Sequence, residues 1–209
     1  MNVRPHTFRL ADLVGGHVVI DLVNTVTARG ADPIDWLDSY RRVLEWAALT
    51  GQFDPGVLAE LEELDKAHPG AGTLALGRLR ELRETLHDVL AAIIRDETPP
   101  AKTLARLDAL WKDSAARARV TVSNRRAHLE LGVGSSRLDY LNHELALRAF
   151  ELLQTLPLTR ARICAGPSCG WLFIDRSKGG RRRWCDMATC GNAAKSRRHY
   201  QRKRSTMQR

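Results

Sequence analysis

Four cysteines, the chain's full complement, fall in its last quarter as Cys164-x4-Cys169-x15-Cys185-x4-Cys190. Two equally spaced pairs separated by a short loop can converge four thiolates on one tetrahedral Zn²⁺. Two disulfides would instead need an oxidising compartment, yet Met1 to Leu13 carries Arg4, Arg9 and Asp12 and has no apolar signal core. Four unrelated buried thiols would rarely leave residues 1–163 empty while producing two identical spacings. Four thiolates also close the coordination shell against a reactive water, so the expected cofactor is one structural Zn²⁺ per chain in a cytoplasmic protein.

Charge divides the chain as cysteine does. Residues 160–209 hold 14 Lys and Arg against Asp175 and Asp186, a net +12, while the remainder has 19 basic and 22 acidic residues, a net −3. A zinc–thiolate cluster would trim the tail to about +10. Basic charge so concentrated suits a polyanionic partner, the alternative being a solvated charge run. Membrane lipid is a poorer partner, because the tail lacks the apolar face that interfacial helices need.

Residues 1–157 are enough to bury a core of their own and read mostly as helix. An apolar stripe from Trp36 through Tyr40, Val43, Leu44 and Ala47 predicts a helix capped by Asp35 and ended by Gly51. Asp54-Pro55 opens a second, with Leu58 and Leu61 inward. The strongest stripe, Leu79, Leu82, Leu86, Val89 and Ile93, predicts a long central helix stopped by Pro99-Pro100. Leu104, Leu107, Leu110 and Trp111 give one more. Residues 119–133 then switch to a period of two, which predicts a hairpin turning at Asn124-Arg125-Arg126. Ser136-x-x-Asp139 resembles a capping box before the helix of Leu141, Leu145 and Leu152, which Pro157 ends. Val18 to Val23 is a short strand or a buried helical turn, since periodicity does not arbitrate so short a run.

Beyond that helix, Arg162-Ile163-Cys164 and Trp171 to Asp175 have β-favouring residues on either side of Ala165 to Gly170, a knuckle hairpin with one metal ligand entering the turn and one leaving it. A helix beginning around Thr189 to Ala193 follows. The fold class is α+β, mostly α: a helical domain over 1–157 with a small β-hairpin, then a treble-clef-like zinc finger with a basic C-terminal helix over 158–209.

The stretches Cys164-Ala-Gly-Pro-Ser-Cys169-Gly-Trp-Leu-Phe-Ile-Asp175 and Arg182-Arg183-Trp184-Cys185-Asp-Met-Ala-Thr-Cys190-Gly191-Asn192 resemble the bacterial CGNR zinc-finger family. Ile20-Asp21-Leu22-Val23-Asn24-Thr25 is similar to the opening motif of that family's partner, the ABATE domain. The family name specifies Cys-Gly-Asn-Arg, whereas Ala193 follows Asn192 here, with Lys195, Arg197 and Arg198 within two turns. The resemblance implies a stress-responsive transcription regulator whose N-terminal domain senses a small molecule.

The function expected from these features together is a DNA-binding transcription regulator, cytoplasmic and nucleoid-associated. An RNA-binding or protein-interaction zinc module is the alternative, and an enzyme acting through the N-terminal domain is a third class. Neither a Gly-Lys-Ser/Thr phosphate loop nor His-Glu-x-x-His is present, and no cysteine lies outside the metal set. Candidate DNA contacts are Arg181, Arg182 and Arg183 in the loop and Lys195, Arg197, Arg198, Arg202, Lys203 and Arg204 in the terminal helix. At about 100° per residue, Lys195, Arg198 and Arg202 share one face, and Arg197 and Arg204 another. Asp21, Asn24 and Thr25 either form a polar cluster in an effector pocket walled by Trp36 and Trp46, or are a helix cap beside ordinary core aromatics. Two-fold dimers match palindromic sites, which leaves a homodimer as one assembly the sequence allows.

Overall fold

The computed structural model describes the backbone of residues 1–207 and the side chains of residues 1–197, Tyr200 and Lys203. Three two-residue strands, β1 (Asn2–Val3), β2 (Val26–Thr27) and β3 (Ile34–Asp35), make a sheet of order β1-β3-β2, with β1 parallel and β2 antiparallel to β3. Between β1 and β2 the run of valines and isoleucine resolves as a helix, α1 (Val18–Val23), started by His17, whose Nδ1 accepts the Val19 N–H. Every side chain of α1 except Asp21 is buried. A helix enclosed on all sides has no polar face, which is why its sequence shows no amphipathic period.

The next helix, α2 (Tyr40–Thr50), begins four residues later than the Trp36 stripe predicts. Ser39 is its cap, accepting the Arg42 N–H, while Asp35 sits in β3. Asp35 lies too early to cap α2: its carboxylate accepts the Leu37 N–H at 2.9 Å, ahead of the helix, and both its oxygens accept from the Arg83 guanidinium, at 2.7 and 2.8 Å. Gly51 ends α2 with φ 62°, a left-handed conformation that glycine adopts without strain. In α3 (Pro55–Ala67) the expected start holds, Asp54 accepting the Val57 N–H and Pro55 occupying the first turn.

The long helix α4 (Ala71–Ile94) packs against α1 and α2, with Leu79, Leu82, Leu86, Val89 and Leu90 buried. It stops at Ile94, short of the prolines, where Asp96 turns the chain at φ 61°. Pro100 caps α5 (Ala101–Arg117), which lies against α4. Strands β4 (Arg119–Ser123) and β5 (Arg126–Glu130) form the expected hairpin, closed by Asn124 and Arg125 at φ 50° and 64°, the two-residue turn that matches strand twist. The alternation overruns the strands: Leu131 and Val133 are buried at the entry to the single-turn α6 (Val133–Ser136). The capping box does not form. Ser136 makes no cap bond, a 3₁₀ turn over Arg137–Asp139 intervenes, and Asp139 instead takes a two-pronged ion pair from Arg78 at 2.6 and 2.7 Å. Next, α7 (Tyr140–Thr155) packs along α5 and also on α4 and α1.

Past Pro157 the chain forms the antiparallel pair β6 (Ala161–Ile163) and β7 (Leu172–Ile174), then a wide turn over Met187–Gly191 and the terminal helix α8 (Asn192–Met207). Ala161 and Leu172 extend the main core. A second, smaller cluster gathers Cys164, Trp171, Phe173 and Cys185, with Val14 and Trp36 of the N-terminal part packed on it. Among the described residues no helix is long and apolar enough to cross a membrane.

Candidate metal centre and the surfaces around it

The knuckle between β6 and β7 brings in Cys164 and Cys169, the loop end Cys185, and the turn before α8 Cys190. All four sulfurs lie within 4.8 Å of one another and none is in a disulfide. Tetrahedral zinc with Zn–S bonds of about 2.3 Å places its sulfurs about 3.8 Å apart. The Cys169–Cys185 and Cys185–Cys190 separations are 3.7 and 3.8 Å. The N–H groups of Gly166 and Cys185 point at the Cys164 sulfur, at 3.4 and 3.3 Å, and stabilise it as a thiolate. Hydrogen bonds from the Cys169 and Cys185 thiols, helped by those two N–H groups, hold the Cys164 thiol down to about 2. Cys169 is pushed up to about 12 by its bond to Cys164, and Cys185 is pushed up as well. Thiols this crowded resist losing all their protons unless a cation neutralises them, and a Zn²⁺ among them would hold all four as thiolates. At Gly166 a Cβ would stand 3.1 Å from the Cys169 Cβ and 3.2 Å from the Cys190 sulfur, so the crowding selects glycine there.

Asp186 starts the turn that carries Cys190 by accepting from the Thr189 N–H and hydroxyl. The basic loop is organised from within. Asp175 accepts the N–H groups of Ser177 and Arg182, and its carboxyl is held down to about 2, chiefly by the Ser177 hydrogen bond. Arg182 stacks over Phe173 at 4.7 Å and donates to the carbonyls of Trp184 and Cys185. It therefore stands apart from its neighbours as a strut of the finger. Arg181, Arg183, Lys195, Arg197 and Lys203 are exposed, with Arg183 over Trp184. The side chains of Arg198, Arg202 and Arg204 lie outside the described residues.

The letters Gly166-Pro167-Ser168-Cys169-Gly170 also spell the Gly-x-Ser-x-Gly of hydrolase nucleophile elbows. Here they form a turn between antiparallel strands, with no helix following, so the strand–turn–helix context of that signature is missing.

This metal-bearing hairpin is seated on the N-terminal domain. Asn24 gives its amide to the Leu172 carbonyl at 2.9 Å and accepts the Leu172 N–H at 3.0 Å. Trp171 donates its indole N–H to Val26, and Arg29 and Gly30 donate backbone N–H groups to Cys169 and Ser168. Of the five residues expected around a pocket, four go elsewhere. Asn24 is this clamp, Thr25 receives Arg83 and donates to Leu22, and Trp46 is fully buried in the core beside Phe53. Trp36 stacks on His6 and meets Trp171 edge-on, beside the zinc knuckle. Asp21 alone faces a cavity, of about 690 Å³, shared with His17, Gln52, Arg148, Glu151 and Arg176. Those five were not singled out by sequence reasoning; they come from four separate segments and meet only on folding.

The family model of ABATE, whose description reads "Putative stress-induced transcription regulator", matches residues 16–156. The chain belongs to the ABATE family. In the residues that follow its ABATE domain, the model of the CGNR zinc finger matches 160–203, spanning all four cysteines. The four therefore hold one structural Zn²⁺. No curated protein matches the chain.

Proposed function

We propose that the protein is a DNA-binding transcription regulator in which zinc fixes a cationic platform against an effector-sensing ABATE domain. The observation that carries this reading is the fate of the basic residues around the metal. Arg181, Arg183, Lys195, Arg197 and Lys203 are exposed, and among the described residues none forms an ion pair with a carboxylate. Elsewhere in the protein such pairs abound, as between Arg42 and Glu45 or Lys112 and Asp108. Unneutralised cations on one small module suit phosphate contacts, whose release of counterions drives binding. The departure Ala193 removes one cation from the start of α8, and Lys195 and Arg197 stand within the next turn.

In this reading zinc acts as a fold-holding ion and takes no part in catalysis. A regulator of this kind works in the cytoplasm at the nucleoid, and a two-fold dimer would suit palindromic sites. The alternative, an RNA-directed module, shares the same charge and differs in partner. Competition binding of the zinc-loaded full-length protein against duplex DNA, single-stranded RNA and tRNA at one salt concentration separates them. Duplex DNA is expected to compete best; tighter competition by either RNA would replace the DNA reading.

A further inference from the structure

The cavity beside Asp21 has charges of both signs that do not meet. Arg148 spends its ion pair on Glu144, outside the lining, and gives a further N–H to the Gln52 carbonyl. Arg176 donates to the Gly16 carbonyl at 2.5 Å. Among the described residues neither Asp21 nor Glu151 has a cation within ion-pair distance. His17 accepts the Val19 N–H at Nδ1, so its neutral imidazole keeps Nε2–H as a donor at the cavity wall. A cavity with two guanidiniums and two carboxylates held apart disfavours a polyanion, a bare cation and an apolar molecule alike. It matches a small molecule carrying one group of each sign.

The same cavity is wired to the metal-bearing hairpin through two residues. Gly15 donates its N–H to the Asp21 carboxylate at 2.8 Å and accepts the Ile174 N–H of β7 at 2.9 Å. Gly16 accepts from Arg176, which follows β7 by two residues and itself lines the cavity. A ligand carboxylate that draws Arg176 off Gly16, or an ammonium that draws Asp21 off Gly15, changes the contacts holding β7. Ligand and finger are then linked by a difference in contacts between two arrangements, and the linkage runs both ways.

We propose that this cavity binds a zwitterion of the α-amino acid class, its carboxylate on Arg148 and Arg176 and its ammonium on Asp21 and Glu151, and that Arg176 transmits the binding to the zinc hairpin. This rests on the effector-sensing reading above and names the effector's chemistry. The test uses zinc-loaded full-length protein and, as probes, the twenty protein L-amino acids by calorimetry. The tightest is then compared with its decarboxylated amine and its deaminated acid. At least one amino acid is expected to bind with Kd below about 1 mM. Its amine and acid should each bind at least about tenfold more weakly, and Arg176→Gln should weaken the parent by a similar factor. Arg176→Gln also removes the hydrogen bond to Gly16, so its melting temperature is measured beside the exposed control Arg41→Gln and affinities are compared at a temperature where both are folded. Failure of all twenty to bind, equal binding of the truncated analogues, or an unchanged affinity in Arg176→Gln overturns the proposal. Duplex-DNA affinity measured on the same samples keeps the two readings apart. Intact DNA binding without amino-acid binding removes only the ligand assignment, and amino-acid binding without DNA binding removes only the DNA reading.

Discussion

Asn24 and Leu172, 148 residues apart in sequence, close a two-way hydrogen-bond clamp in which the Asn24 amide serves both the N–H and the C=O of a fully buried backbone unit. The clamp fastens the ABATE domain to the strand leaving the zinc knuckle. Asn24→Ala strands both backbone groups away from water, at about 1 to 3 kcal/mol each, so a loss of roughly 2 to 6 kcal/mol is expected in urea unfolding. The wild type is expected to unfold in one transition and Asn24→Ala in two, because in the variant the finger loses its hold on the core. A variant with wild-type stability and one transition would show that the clamp is incidental.

Arg83 lies on the buried side of α4 and grips Asp35 with both arms of its guanidinium. Truncating Arg83 leaves the buried Asp35 carboxylate with Arg80, at 3.0 Å, and the Leu37 N–H as its remaining partners, so Arg83→Met is expected to lower stability by about 3 kcal/mol, the low end for a broken buried pair. The exposed pair Arg41–Glu45 supplies the contrast: Arg41→Ala should change stability by less than about 1 kcal/mol. Similar losses in the two variants would contradict the role assigned to the buried pair.

Arg83 also marks where the sequence stops being readable. Its neighbours Leu79, Leu82 and Leu86 announce a buried helix face by their spacing, but nothing local says that an arginine among them will be buried too. That depends on Asp35, which arrives from another element. Asn24 behaves likewise: next to a helix end it looks like a cap, and its partner is far along the chain. What could be read were features fixed over short distances. These include the paired cysteine spacings, the Asp54-Pro55 helix start and the turn at Asn124-Arg125, each set by backbone geometry within a few residues. The cavity was half legible: Asp21 could be suspected from its motif, but the arginines facing it could not.

Burial pushes the Asp21 carboxyl up from 3.8 to about 6, against the opposing pull of the Gly15 N–H and Arg176. The folded state then holds its proton more tightly than the unfolded chain does. This contribution to stability is complete below pH 3.8, fades as pH rises and is gone above about pH 6. Asp21→Asn keeps an oxygen for the Gly15 N–H but cannot ionise beside His17, Arg148, Glu151 and Arg176. Its stability relative to wild type should rise by about 2 kcal/mol between about pH 4 and 7. Taking the difference between the two proteins cancels acid effects common to both, such as zinc loss. A difference that is flat with pH, or falls, would refute the assignment.

The three arginines of the basic loop should separate by role. Arg182→Gln removes the bonds to Trp184 and Cys185 and the stacking on Phe173, so it should speed zinc release to a chelator. Arg181→Gln and Arg183→Gln, on exposed residues, should leave zinc retention unchanged and weaken duplex DNA binding by about two- to tenfold each. Competition of zinc with a colorimetric chelator, run beside a binding titration, reads both. Equal behaviour of all three would contradict the division.

The most direct test of the zinc-built cationic platform is the salt dependence of duplex DNA binding by the zinc-loaded full-length protein. Four to six phosphates neutralised by this surface predict a slope of about −4 to −5 in log affinity against log salt concentration. Changing Arg181, Arg183, Lys195 and Arg197 together to Gln should flatten that slope by about 3 to 4 without releasing zinc. An unchanged slope and affinity in this variant would contradict the account, because DNA would then be held by some other surface of the protein.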